Sequence, residues 1–249
     1  MMMWNPLLKP ALACVFLAFL TCSMPTLLHA ESARSIDSFQ SGGKRIRMET
    51  FPSPAGEKSP SIIVLHGSTG VEFASRFIVT LAQQFARQGF TVHLVHYFDR
   101  TGTQYADDNA MRLSAQAWLK TVRDAVAYVH TQRPGAAIGL FGYSLGGYLS
   151  AAECLGNPQI SAAVILAGGL DEKTAPKDRH ALPVLILHGS ADTRVPLAEG
   201  RKLETAVKEA GGAPELHVYP GEGHIMSLPA YADAVLRGTA FFKAHLAAS

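Results

Sequence analysis

A serine stands among glycines in Gly142-Tyr143-Ser144-Leu145-Gly146-Gly147, after the apolar run ending at Phe141 and at the start of a helical pattern, Leu145 to Leu155. A serine hydroxyl is a weak nucleophile at neutral pH and needs a base to take its proton. A sharp strand-to-helix turn strains the residue at its apex, and flanking glycines let neighbouring segments approach without a Cβ clash. The pattern therefore predicts Ser144 as a nucleophile above a sheet edge, with the N–H of Leu145 turned toward a developing oxyanion. The base must come from far along the chain. His224, in Gly221-Glu222-Gly223-His224, follows a short apolar run and precedes the last helical pattern. His93 and His217 lie inside strand patterns, His130 and His245 on helices, His29 in the N-terminal apolar stretch and His180 in a polar loop, so His224 is the expected base. A carboxylate must hold the imidazole in one tautomer. Asp192, in Ser190-Ala191-Asp192-Thr193-Arg194-Val195-Pro196 after the apolar run Val184 to Leu187, is expected there, with Asp171 as the alternative. A second oxyanion donor is expected from His66-Gly67-Ser68-Thr69-Gly70: the N–H of Ser68, with Gly67 next, while His66 turns the loop.

These residues need a scaffold that carries each to one rim. Short apolar, β-branched runs (61–65, 90–95, 137–141, 162–166, 184–187, 216–219) alternate with amphipathic stretches (73–88, 111–133, 145–155, 197–210, 231–245). Near-continuous hydrophobicity in short strands is expected when helices cover both faces of a parallel sheet. Residues 45–51 alternate apolar and charged, as an edge strand does. The polar stretch 31–44 is expected to be a linker or loose edge, and 45–249 a single α/β domain with no large lid. The segment 168–182 is expected to be a surface loop. It and 98–109 are expected to shape the pocket, with Tyr97, Phe98, Tyr105, Trp118 and Ile225 as candidate lining.

The N-terminus has the form of an export signal over residues 1–30: Lys9, then the uncharged apolar run Ala11 to Leu20, then a small residue, Ala30, as the expected cleavage point. A secreted or periplasmic protein without stable membrane association follows, a retained anchor being the rival reading. Two of the three cysteines, Cys14 and Cys22, lie in that signal, leaving Cys154 alone in the mature chain and no internal disulfide. The formal charge of +2 argues against nucleic acid as a partner. No Walker loop, dinucleotide fingerprint, H-E-x-x-H or paired-cysteine spacing occurs, so neither cofactor nor metal is expected. Nothing in the residues speaks to oligomeric state.

The elbow Gly142 to Gly147, the Ser190 to Pro196 stretch, Gly221 to His224, and Gly89-Phe90 through Tyr97-Phe98-Asp99-Arg100 together resemble the dienelactone hydrolase family of α/β-hydrolases, over most of 45–246. The resemblance implies a Ser144–His224–Asp192 triad, an oxyanion hole from Ser68 and Leu145, and hydrolysis of a small-molecule ester or lactone. Two departures qualify the substrate. The namesake enzymes carry cysteine where Ser144 stands, and they hold a substrate carboxylate with arginines. Here His224-Ile225-Met226-Ser227-Leu228 has no arginine, and Arg100 is either the other clamp or a solvated charge. A thioesterase or small peptidase would use the same residues, and a binding protein could use the fold without turnover.

Overall fold

The structure, a computed structural model, describes residues 34–246. Eight strands form one sheet in the order β1-β2-β4-β3-β5-β6-β7-β8. They are β1 (Ser35–Ser41), β2 (Lys44–Phe51), β3 (Ser61–Leu65), β4 (Thr91–Val95), β5 (Ile138–Tyr143), β6 (Ile160–Leu166), β7 (Pro183–Gly189) and β8 (Ala213–Tyr219). From β4 to β8 every neighbouring pair is parallel, whereas β1–β2 and β2–β4 are antiparallel. Five α-helices accompany them, the first four between strands and the fifth after β8: α1 (Gly70–Arg87), α2 (Asp108–Gln132), α3 (Leu145–Gly156), α4 (Leu197–Glu209) and α5 (Leu228–His245). This is the mostly parallel sheet expected from the alternation of short apolar runs and helical patterns.

The two faces of the sheet read directly from the period-two pleat. Ile63, Leu65, Leu140, Ile165 and Ile186 pack beneath α2, α3 and α4, with Trp118, Leu149 and Leu203. Their neighbours Ile62, Val64, Phe141, Val164 and Leu187 turn to the other side, where α1 and α5 bring Leu81, Phe85 and Phe242. Both faces are covered, which is why β3 is buried at every position. Between β6 and β7 no helix intervenes, and residues 167–182 form the expected loop.

One expectation is corrected. The polar stretch 31–44 is not a linker throughout, because Ser35–Ser41 is strand β1, paired residue for residue with β2 from Ser35↔Thr50 to Ser41↔Lys44. Its polarity follows from its place at the sheet edge, where Phe39 and Ser41 alone of its residues are buried. Gly42 and Gly43, both at positive φ (51° and 76°), make the two-residue turn. That geometry is the one a tight hairpin demands of its central pair. The export signal expected over 1–30 lies outside the described residues. Cys154 is buried on α3, and burial pushes its thiol pKa up.

Candidate active site

The rim is built from the C-terminal ends of the parallel strands. β5 ends at Tyr143 and α3 begins at Leu145, so Ser144 must reverse direction alone. It does so at φ 56°, ψ −119°, a conformation that L residues rarely adopt. The turn closes only because its neighbours lack side chains. A Cβ on Gly146 would stand 2.5 Å from the carbonyl oxygens of Leu65 and His66. One on Gly142 would stand 2.5 Å from the carbonyl carbon of Gly146, and closer still to its oxygen.

Asp192 follows β7. Its Oδ1 accepts from the backbone N–H groups of Arg194 (2.9 Å) and Val195 (2.8 Å), and its side chain is wholly buried. His188, also buried, donates from Nε2 to the carbonyl of Val195 at 2.8 Å and so pins the same loop from below. Its Nε2 lies 3.7 Å from Asp192 Oδ2, too far for a hydrogen bond, which leaves that oxygen to His224.

His224 has the longest way to come. It follows β8, and β7 and β6 separate β8 from β5. The chain after Tyr219 therefore doubles back over the end of β7. Ser190 N–H donates to Tyr219 O (2.9 Å), Gly221 N–H to Ser190 Oγ (2.8 Å) and Ala191 N–H to Glu222 O (2.9 Å). Gly189 lies under the crossing: a Cβ there would be 2.8 Å from the carbonyl oxygen of Gly223 and closer still to that of Glu222. Tyr143 holds the far side. Its hydroxyl donates to the carbonyl of His224 (3.1 Å), and its ring stacks on the imidazole with centroids 5.4 Å apart. Phe77 and then Tyr231 continue this aromatic column. Burial, and then the charge of Asp192, push the Tyr143 pKa up to about 12, so it remains a donor at any ordinary pH.

The result is a continuous path. His224 Nδ1 lies 2.8 Å from Asp192 Oδ2, and His224 Nε2 lies 2.9 Å from Ser144 Oγ. Because an ionised carboxylate only accepts, Nδ1 carries the proton and Nε2 faces the hydroxyl as an acceptor. The fold thus brings together all three side chains expected to form a triad.

The loop between β3 and α1 lies against the nucleophile, since a Cβ on Gly67 would be 3.4 Å from that of Ser144. Within this loop the carbonyl of Gly67 accepts from Gly70 N–H (3.1 Å) and from His66 Nδ1 (2.8 Å), and that of Ser68 accepts from Ala106 N–H (2.8 Å). The bonds to the Gly67 carbonyl fix the peptide that carries the Ser68 N–H, expected to hold an oxyanion. Leu145 is the first residue of α3, where no intrahelical acceptor exists for its N–H. His66 is sealed in: it stacks on Tyr97 at 4.1 Å, and burial drives its pKa down to about 3.

Other candidates fall elsewhere. Tyr97, Phe98 and Trp118, named as pocket lining, are core residues packed edge to face or tilted around His66. Tyr105 and Ile225 are exposed. Asp171 caps a turn, its Oδ1 accepting from Lys173 N–H (2.9 Å). Arg100 is a partly exposed charge whose guanidinium donates to the carbonyl of Gly42 at the first hairpin. Sequence reasoning missed Tyr143, Gly189 and His188 as supports of the site. The only signals were an aromatic beside the nucleophile and a His-Gly pair ending a strand. Among the described residues no group of three or more His, Cys, Asp or Glu side chains is placed to hold a metal ion.

Comparison with known proteins agrees with this architecture. The model of the dienelactone hydrolase family matches residues 49–234. A Yersinia pestis protein assigned as a carboxymethylenebutenolidase is 28% identical over 184 residues, covering 66% of this chain and 67% of its own length. A Klebsiella pneumoniae protein assigned as a dienelactone hydrolase superposes with a TM-score of 0.71 at 21% identity, over 84% of this chain and 98% of the other. The acylaminoacyl peptidase of Pyrococcus horikoshii superposes at 0.68 with 18% identity, over 86% of this chain and 42% of the other. At such identities the superpositions speak to fold alone.

Proposed function

The chain belongs to the dienelactone hydrolase family and is an ester-bond hydrolase, and from that premise we propose that it cleaves a carboxylic ester or lactone through an acyl-enzyme on Ser144. The observation that carries this reading is the unbroken run from Ser144 Oγ through His224 to the buried Asp192, at 2.9 and 2.8 Å. His224 Nε2 takes the hydroxyl proton as Ser144 Oγ attacks the carbonyl carbon, and Asp192 stabilises the imidazolium. The N–H groups of Leu145 and Ser68 receive the oxyanion. The C–O bond to the alcohol then breaks, and His224 returns the proton to the leaving oxygen. Water, deprotonated by the same imidazole, releases the acid and regenerates Ser144.

The substrate is a small ester or lactone without the double-arginine recognition of a carboxylate, since the loop after His224 carries no arginine. A fluorophosphonate should label Ser144, and Ser144→Ala should lose turnover of p-nitrophenyl acetate by several orders of magnitude. Near-full turnover by the folded Ser144→Ala protein would overturn the assignment. Export by a signal over residues 1–30 is part of the same proposal, and the N-terminal sequence of the mature protein tests it: it should begin at Glu31.

A further inference from the structure

The segment that delivers His224 carries two large apolar side chains outward. His224 meets Ser144, while Ile225 is 87% exposed. Met226 packs back into the core beside α5, and Leu228 is 82% exposed. This display is held rigidly. Glu222 accepts from Ser227 through both its backbone N–H (2.7 Å) and its hydroxyl (2.6 Å), closing 222–227 into a loop. Tyr143 grips the same loop at the His224 carbonyl. Both oxygens of Glu222 are engaged in this closure, and residues 220–230 contain no lysine or arginine. Two large apolar side chains thus stand exposed one and four residues past the imidazole, on a segment without lysine or arginine.

The chemistry of the site says which part of a substrate reaches them. In acylation the imidazolium passes its proton to the oxygen that departs as the alcohol, so that oxygen must sit against His224 Nε2. The carbonyl oxygen points the opposite way, to the loop after β3. Whatever is attached to the leaving oxygen therefore emerges toward the segment of His224, which carries Ile225 and Leu228. Resting on the reading of Ser144 as nucleophile, we propose that Ile225 and Leu228 form the subsite for the alcohol portion of the substrate and select esters of uncharged, apolar alcohols.

The two steps of the reaction make this separable from a general structural effect. All acetate esters share one acetyl-enzyme, so the alcohol bears on acylation and therefore on kcat/KM, whereas hydrolysis of the acetyl-enzyme is common to the series. The experiment compares ethyl, butyl and hexyl acetates, a hydroxyl-terminated acetate of hexyl length, and ethyl acetate against ethyl butyrate. With each methylene half covered, kcat/KM should rise about twofold per methylene, roughly fifteenfold over the four from ethyl to hexyl, and fall back for the hydroxyl-terminated ester. Ile225→Ser and Leu228→Ser should each cut the hexyl-to-ethyl ratio about threefold and leave the butyrate-to-acetate ratio unmoved. A flat alcohol series, or variants that move the acyl ratio instead, would overturn the proposal. So would variants that change only the sedimentation behaviour, which would make this rim a contact between copies of the chain. Fluorophosphonate labelling of Ser144 in the same preparation separates the two levels: labelling with a flat series defeats the subsite alone, and no labelling defeats the nucleophile assignment beneath it.

Discussion

Gly189 never touches the reacting atoms, yet Gly189→Ala should disable the site. The added methyl would meet the backbone of Glu222 and Gly223 where the histidine loop crosses β7, with the Gly223 carbonyl oxygen only 2.8 Å away. The strand below is paired on both sides and cannot drop, so the loop must rise. A lift of about 1 Å breaks the contact of His224 Nε2 with Ser144 Oγ, and a misplacement of that size costs about 10²-fold in rate. Overpacking of this kind also lowers stability by about 1–3 kcal/mol. The control is one residue from the imidazole: Gly223→Ala meets nothing nearer than Ala191 O at 4.0 Å. The assay is kcat/KM for p-nitrophenyl acetate with urea unfolding of each variant, so that rates refer to folded protein. Gly223→Ala should keep activity within about threefold, about 0.6 kcal/mol. A Gly189→Ala enzyme as active as Gly223→Ala would refute the idea that clearance over β7 sets the position of the base.

Ser144→Gly and Ser144→Ala both remove the nucleophile, but only glycine relaxes the backbone at φ 56°. Relief of about 1–3 kcal/mol, less about 0.5–1 kcal/mol for glycine's extra chain entropy, should make the glycine variant the more stable in urea, and the reverse order would show that no strain is stored. Asp192→Asn presents an amide where Oδ1 accepts two N–H groups and Oδ2 holds His224 Nδ1–H. It should lower kcat about 10³–10⁴-fold through the wrong tautomer, and a loss under tenfold would count against Asp192. Tyr143→Phe keeps the stacked ring and loses the bond to the His224 carbonyl, so kcat/KM should fall about fivefold, matching about 1 kcal/mol, whereas an unchanged value would make that bond incidental. His66 and His93 titrate near 3 in the fold, against an ordinary value of 6.5. Both are depressed, so their contribution is complete above about pH 6.5 and is lost as pH falls toward 3, each at about 1.4 kcal/mol per pH unit. His66→Phe should reduce the slope of unfolding free energy between pH 6 and 4.5 by that amount, and an equal slope in both proteins would contradict a buried neutral imidazole.

The strands β3 to β8 and all five helices were legible because each alternation of period has one physical cause, burial on both faces of a sheet. The meeting of Ser144, His224 and Asp192 was legible because all three follow strand ends, where a parallel sheet gathers its loops. What stayed hidden is tertiary. β1 carries its pattern weakly because the edge position leaves only Phe39 and Ser41 facing inward, although the Gly42-Gly43 pair was a usable hairpin signal. Tyr143 and Gly189 owe their roles to a loop arriving from beyond β8, a meeting that no local pattern encodes. Arg100 looked free because its acceptor, Gly42, is distant in the chain.

The family resemblance spans residues 49–234, and those limits cut through the body of the molecule. Residue 49 falls midway along β2 and residue 234 midway along α5. A fragment trimmed to them would lose Phe39, Ile46 and Met48 from one apolar layer and Phe241, Phe242 and Leu246 from the other. It would also remove β1 and the first five residues of β2 from the outer side of the sheet and leave Arg100 without its anchor. The stretch that matches the family model holds Ser144, Asp192 and His224, and the apolar layers that carry them reach beyond it toward both ends of the described residues.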